Sequence, residues 1–147
     1  MNHPYVQANA VEREHLLSLI NRLTDDELSQ PLAAGWTVAG VFAHLAFWDL
    51  RALTLLKKWK QNGIGPSPID TDIVNEAMRE HCIAISPRAA TRLAISTASA
   101  IDEAIELLDA PMFTEVETNG STVHLNRASH RQEHLSQIEQ ALGISTK

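Results

Sequence analysis

Histidine is the residue type most able to carry chemistry in this chain, because seven histidines occur in 147 residues. His130 and His134 are four residues apart in a segment with helical periodicity, so their imidazoles share one helix face about one turn apart. Two imidazoles at that spacing suit one metal ion. The pair is not a metalloprotease motif, because Arg131 follows His130 where that motif needs a glutamate base.

A third histidine, His44, strengthens the metal hypothesis because it points into the protein. In the helix predicted around it, His44 lies on the same side as the apolar Trp48 and Leu55. The alternative for His44 is a core histidine bonded to a backbone carbonyl or a serine. For His130 and His134 the alternative is a partly exposed polar edge. Together the three histidines predict a metal site with open coordination positions, as catalytic sites have.

Three residues near these histidines in the predicted bundle are candidates for ligand binding. Trp48 could form a wall of a substrate pocket, although a core position is the simpler interpretation. Asn75 lies among apolar residues of the third helix and could orient a ligand; the alternative is a capping or exposed role. We predict both as substrate-binding residues. Arg51 could reach an anionic ligand, but a solvent-facing salt bridge is the favoured interpretation.

The remaining histidines and the single cysteine receive no site role. We expect His15 at the surface edge of the first helix and His3 in a mobile terminus. His81 and His124 have no partner at a diagnostic spacing. Cys82 allows no internal disulfide, which favours a reducing compartment, and a lone helical cysteine is typically a small buried apolar residue.

The elements that must position these residues are helices. Apolar periodicity predicts four helical patterns, at residues 8–23, 37–60, 70–108 and 121–142, the third interrupted at 86–87 by Ser-Pro. Thr24 begins a capping box, Thr37 can cap the second helix, and Gly143 can end the last. Residues 113–118 mix apolar and polar residues before an Asn-Gly turn, which predicts a small extended excursion or hairpin. We therefore predict a single all-α domain, residues 1–147, folded as a four-helix bundle.

Two segments resemble a known family. Residues 35–49 (GWTVAGVFAHLAFWD) resemble the second helix of the DinB/YfiT-like superfamily, and residues 129–138 (SHRQEHLSQI) resemble its last helix. Residues 72–75 (DIVN) resemble its third segment less specifically. The resemblance spans nearly the whole chain in order and spacing. It implies a four-helix bundle with a long crossover and a metal triad of His44, His130 and His134.

The same resemblance implies a range of activities. Some members of this superfamily are metal-dependent thiol transferases that use mycothiol, bacillithiol or glutathione, and some are isomerases that act with such thiols. We therefore expect a divalent ion, zinc or nickel, that activates a thiol or water for attack on a small electrophilic substrate. A low-molecular-weight thiol would be the cosubstrate. The alternative is a non-catalytic, dimeric helical bundle that binds a metal or ligand.

Composition excludes some classes of partner and leaves others open. The formal charge of −6 argues against a nucleic-acid surface, which needs a basic stripe. Residues 38–56 are apolar, but His44, Asp49 and Arg51 interrupt them, so we predict a buried core helix rather than a membrane span. The N-terminus lacks the pattern of a signal peptide, so a cytoplasmic protein is expected. A homodimer is expected because apolar bundle faces often pair.

Overall fold

The computed structural model describes residues 3–120 and 122–144, and within them the chain is all-α, as predicted. A single isolated bridge between Pro31 and Thr37 is the nearest approach to β-structure in that part of the chain. Residues 33–35 form one short 3-10 turn. The helices are α1 (Val6–Arg22), α2 (Asp25–Leu28), α3 (Val38–Asn62), α4 (Thr71–Ala84), α5 (Pro87–Glu106), α6 (Ala110–Asn119) and α7 (Ala128–Leu142).

Four of these helices, α1, α3, α5 and α7, build the bundle. Helix α3 packs against α5 and α7, and α1 packs against α7 and α5. The stripe of small and apolar residues on α5 explains its close contact with α3, because small side chains let two helix axes approach. Helix α4 covers the outside of α3. The buried stripe of α5 consists of Ala90, Ala94, Ala98, Ile101 and Ile105.

Helix α3 is the central element. Every residue from Val38 to Ala46 is buried, so the helix is surrounded by protein on all sides at its N-terminal end. By length and composition alone α3 could cross a membrane, but 67% of its apolar window is buried inside the bundle, as expected for a core helix. Gly40 brings α3 close to α4: a Cβ placed there would lie 2.9 Å from Cγ2 of Ile83.

The predicted helix ends agree with the structure. The Thr24 side chain accepts a hydrogen bond from the Glu27 N–H, and the Glu27 carboxylate accepts one from the Thr24 N–H, which completes the capping box. The Thr37 hydroxyl accepts from the Gly40 N–H at 3.0 Å and starts α3. Gly143 ends α7 in the left-handed conformation, at φ 66°. These ends set the register of the two helices that carry the candidate ligands.

The predicted hairpin before the last helix is wrong. Residues 113–118 lie inside helix α6. Asp109 caps this helix by accepting from the Met112 N–H at 2.8 Å, and Pro111 occupies its first turn. Phe113 and Val116 are both buried and three residues apart, which is the spacing of a helix and not the alternation of a strand.

The last helix also begins later than predicted, at Ala128 rather than near 121–122. Ser121 lies outside the described residues, and Thr122 precedes the helix. A buried side chain from α1 sets the start: the Asn9 Oδ1 accepts hydrogen bonds from the N–H groups of Arg127 and Ala128, at 2.8 and 2.9 Å. Asn9 therefore caps α7 from another helix, where sequence spacing along α7 gives no signal.

Candidate metal centre

The structure brings His44, His130 and His134 together at one point between α3 and α7. The ring centroids of His130 and His134 lie 5.1 and 4.8 Å from that of His44, and 4.8 Å from each other. One ring nitrogen of each residue lies within 4.8 Å of the others. His44 is buried and the other two are half-buried.

The nitrogen positions fit a metal ion. The Nε2 atoms of His44 and His130 are 3.2 Å apart, while two nitrogens bound to one tetrahedral zinc at 2.0–2.1 Å would be about 3.3 Å apart. Two neutral imidazoles could instead share a proton at this distance. The third imidazole favours the metal interpretation, since a single proton cannot satisfy three converging rings.

The protonation state of the site suits metal binding. Burial, followed by the charge of His134, lowers the pKa of His44 to about 4. Burial, followed by the charges of His134 and His44, lowers the pKa of His130 to about 3, and Arg127 and Arg131 lower it further. Both rings are therefore neutral at neutral pH and can offer a lone pair, which is the form that a metal requires.

The outer nitrogens of the site differ in their partners. The Nδ1 of His134 is 3.1 Å from the Oε1 of Gln137. An amide oxygen only accepts, so this Nδ1 carries the proton and Nε2 is free to bind a metal. The buried Nδ1 of His44 has no hydrogen-bond partner among the described residues, which leaves an unsatisfied polar atom in the core.

Aromatic rings hold His44 in place. The Trp36 ring contacts it edge-on at 5.5 Å between centroids, and the Trp48 ring lies at 6.5 Å. Because Thr37 caps α3 one turn before Val41, His44 stands in the second turn of a rigid, buried helix. This packing limits its rotamers and aims the ring at α7.

A buried charge network fixes helix α7. Arg131, only 1% exposed, donates two hydrogen bonds to the Asp102 carboxylate at 2.8 and 2.9 Å and one to the Asn9 carbonyl at 3.0 Å. It also lies 3.4 Å from Asp49, which pairs with Arg127 at 2.9 Å. Burial lowers the pKa of Arg131, but the hydrogen bonds to Asp102 and the charge of Asp49 outweigh it and raise that pKa above its ordinary value. Arg131 is therefore a fixed cation that anchors the helix beside His130.

A cavity of about 790 Å³ opens at the three histidines. Both predicted substrate-binding residues, Trp48 and Asn75, line it. The indole N–H of Trp48 donates to the Asn75 Oδ1 at 2.8 Å, so the two side chains form one wall. Arg51 lines the cavity as well. It makes no salt bridge with any described residue, so the favoured interpretation of Arg51 was wrong.

Three further histidines make contacts that the sequence analysis did not predict. His124 lines the cavity although its spacing gave no partner. His15 is buried rather than at a surface edge, and its ring nitrogens lie 3.2 Å from Glu12 and 3.0 Å from Glu139. His3 is buried and stacks on Phe113 at 4.8 Å between centroids. Only the spacing of three between Glu12 and His15 could have signalled any of these contacts.

The comparisons with known proteins identify the family. The family model described as mycothiol maleylpyruvate isomerase N-terminal domain matches residues 10–112, which is more than half of the chain. The chain belongs to this family. The mycothiol maleylpyruvate isomerase N-terminal domain is part of the DinB/YfiT-like clan of helical metal-binding proteins, so the predicted superfamily is confirmed. No curated protein and no solved structure matches the chain.

The family match covers only part of the candidate site. His44, Trp48 and Asn75 lie inside residues 10–112, whereas His130 and His134 lie beyond them. The two α7 histidines are therefore grouped with His44 by the geometry of this chain and not by the family match. A metal-binding helical bundle of DinB type is the description that the family and the geometry support together.

Proposed function

We propose that this protein is a metal-dependent enzyme that activates a thiol or water for reaction with a small electrophilic substrate. The observation that carries the proposal is the meeting of three imidazoles beside a cavity of about 790 Å³. A structural metal site is closed by four protein ligands, whereas a catalytic site keeps a position open toward a cavity. His44, His130 and His134 would hold the ion, zinc or nickel, on one side and leave the cavity side free.

The chemistry would come from the ion and its placement from the protein. A divalent ion with an open position lowers the pKa of a bound thiol or water, so that a nucleophile exists at neutral pH. Burial keeps the rings of His44 and His130 neutral, which preserves their lone pairs for this purpose. Trp48 and Asn75 form a wall against which a substrate would be oriented. No carboxylate or further histidine of the chain needs to act as the general base.

The thiol is the finer part of the proposal. The matching family model is named for a mycothiol-dependent isomerase, which favours a low-molecular-weight thiol as cosubstrate over water. The substrate would be a small molecule, and we propose that the protein acts in the cytoplasm as a homodimer without a nucleic-acid or membrane partner. The net charge of −6 supports the absence of a nucleic-acid partner.

The alternative, a non-catalytic bundle that binds a metal or ligand, predicts helices closed tightly around the histidines. The open cavity at His44, His130 and His134 counts against it. A spectroscopic experiment separates the two functions. In cobalt-substituted protein, a thiol such as 2-mercaptoethanol is expected to change the visible absorption spectrum by binding to the metal. An unchanged spectrum at saturating thiol would favour the non-catalytic bundle.

The metal site itself is tested by elemental analysis of purified protein. We expect about one equivalent of zinc or nickel in the wild type and a loss of most of it in His130→Ala, because two imidazoles alone bind a divalent ion weakly. His81→Ala is the matched control, since His81 is exposed on α4 and does not line the metal-site cavity. Equal metal content in His130→Ala and His81→Ala would refute the site.

A further inference from the structure

Arg51 places a cation in the wall of the metal-site cavity. It follows His44 by seven residues on α3, about two helical turns, and therefore lies on the same face. Its guanidinium carbon lies 5.9 Å from the centre of the Trp48 ring, and that ring is 6.5 Å from the ring of His44. Trp48 thus stands between the candidate metal and the guanidinium, and a small molecule in the cavity could span the two.

The guanidinium is held rigidly. Its Nη1 donates to the carbonyl of Thr122 at 3.1 Å, and its Nη2 lies within 3.2 Å of the carbonyl and hydroxyl of Ser67 and of the Thr122 hydroxyl. These acceptors come from two loops, so they fix the side chain at the cavity wall. The Nε–H and one Nη1–H of Arg51 make no hydrogen bond within residues 3–120 and 122–144.

The charge of Arg51 is not compensated. All of its hydrogen-bond acceptors are neutral, and no carboxylate of the described chain pairs with it. The neighbouring Asp49 already serves Arg127 and Arg131. Glu133 also lines the cavity but is exposed to solvent. Burial and then the charge of Arg127 lower the pKa of Arg51, as expected where two cations share a partly dry wall.

A second donor accompanies this charge. The Oδ1 of Asn75 is occupied by the indole N–H of Trp48, which can only donate. This bond fixes the orientation of the Asn75 amide, whose nitrogen donates and has no hydrogen-bond partner among the described residues. The cavity wall thus presents a guanidinium that has no carboxylate partner among the described residues, together with the amide donor of Asn75. The group on a ligand that complements both is a carboxylate.

We propose that Arg51 binds a carboxylate of the small molecule that occupies the metal-site cavity. This inference rests on the proposed function, because the same molecule, or its partner in the reaction, meets the ion held by His44, His130 and His134. Arg51 would then select anionic over neutral ligands and orient the bound molecule relative to the metal. The carboxylate could belong to the thiol or to the electrophile.

The experiment compares matched ligands on the cobalt-substituted protein. In the first arm, 3-mercaptopropionate and its neutral amide are titrated against the visible spectrum. In the second arm, the site is saturated with 2-mercaptoethanol, and propionate and propionamide are titrated against tryptophan fluorescence. We expect the carboxylate to bind about tenfold tighter than the amide in at least one arm. A preference in the first arm assigns the carboxylate to the thiol, and one in the second assigns it to the electrophile.

Three variants connect that preference to Arg51. Arg51→Gln is expected to remove it, Arg51→Lys to keep part of it because the charge remains, and Lys57→Gln, exposed on the same helix, to leave it unchanged. The ligand-free cobalt spectrum and the melting temperature show whether each variant keeps its fold.

The outcomes separate the inference from the proposed function. If 3-mercaptopropionate and its amide change the spectrum equally, and propionate binds no tighter than propionamide, the proposed function stands and the role of Arg51 is refuted. The same conclusion follows if Arg51→Gln keeps the preference. If neither thiol changes the spectrum, the proposed function fails and this inference fails with it.

Discussion

At the scale of single residues, His44 determines whether the histidine pair on α7 can form a metal site. His130 and His134 could occur by chance four residues apart on an exposed helix edge. The structure instead turns them toward a buried imidazole whose Nε2 is 3.2 Å from that of His130. The pKa values of about 4 for His44 and about 3 for His130 mean that both rings stay neutral in the metal-free fold well below neutral pH, where a free histidine would be charged.

The hydrogen bond between His134 and Gln137 gives a prediction about metal affinity. Gln137 accepts from Nδ1 and so leaves Nε2 as the ligand atom. We expect Gln137→Ala to weaken zinc binding up to about tenfold, the lower end for partners of metal-bound histidines, because Gln137 is exposed. Competition with a chromophoric chelator measures the affinity. Gln140→Ala, also exposed on α7, is the control, and equal affinity in both variants would contradict the role of Gln137.

At the scale of helices, the sequence predicted more of α3 than of α7. The caps at Thr37 and Gly143 are local signals, and the structure confirms them. The start of α7 depends on Asn9, which is 118 residues away from Arg127, so no local pattern could reveal it. Residues 113–118 were misread because the Asn-Gly turn signal was given more weight than the spacing of Phe113 and Val116, which are three apart as in a helix and do not alternate as in a strand.

The same limit applies to the candidate site. The three histidines were singled out by spacing and helical phase, and Trp48 and Asn75 by their positions beside His44 and among apolar residues. Arg51 was considered but assigned to solvent, since the loops that hold its guanidinium, at Ser67 and Thr122, have no pattern of their own. The sequence served only to exclude a metalloprotease motif at Arg131, although Arg131 is among the most buried of the described side chains. Long-range polar contacts of this kind become visible only in the folded structure.

The Arg131 network predicts a large difference between two arginines. Arg131→Met would remove the two-bonded partner of the buried Asp102, leaving it only Arg13, and breaking a buried pair in this way typically costs about 3–5 kcal/mol. Arg88→Met removes an exposed pair with Asp25 and should cost less than about 1 kcal/mol. Urea unfolding of both variants measures the free energies of unfolding. If the two losses differ by less than about 1 kcal/mol, the network does not anchor α7 as described.

At the scale of the whole molecule, the metal site is a place where folding and function oppose each other. The bundle brings one buried and two half-buried imidazoles to one point and leaves one buried nitrogen of His44 without a partner among the described residues. An apolar replacement would suit a purely structural core better. A bound ion would turn this cost into stability, since it binds only the folded arrangement. Without metal, the protein should lose stability at low pH, because protons then bind these imidazoles in the unfolded chain but not in the folded one.

The pH dependence of stability tests this coupling in protein freed of metal by a chelator. The pKa of His44 falls from its ordinary value of 6.5 to about 4 on folding, and that of His130 falls from the same value to about 3. Between these values the unfolded chain binds more protons, so the free energy of unfolding decreases as the pH is lowered below about 6.5. At pH 5 the expected loss is about 2 kcal/mol for each of the two rings. Urea unfolding at pH 7.5 and pH 5.0 measures it, with the double variant His44→Gln and His130→Gln as control, because every other side chain is the same in the two proteins. The wild type should lose more stability than the control over this interval, and an equal loss in the two proteins would mean that the imidazoles are not desolvated together in the metal-free fold.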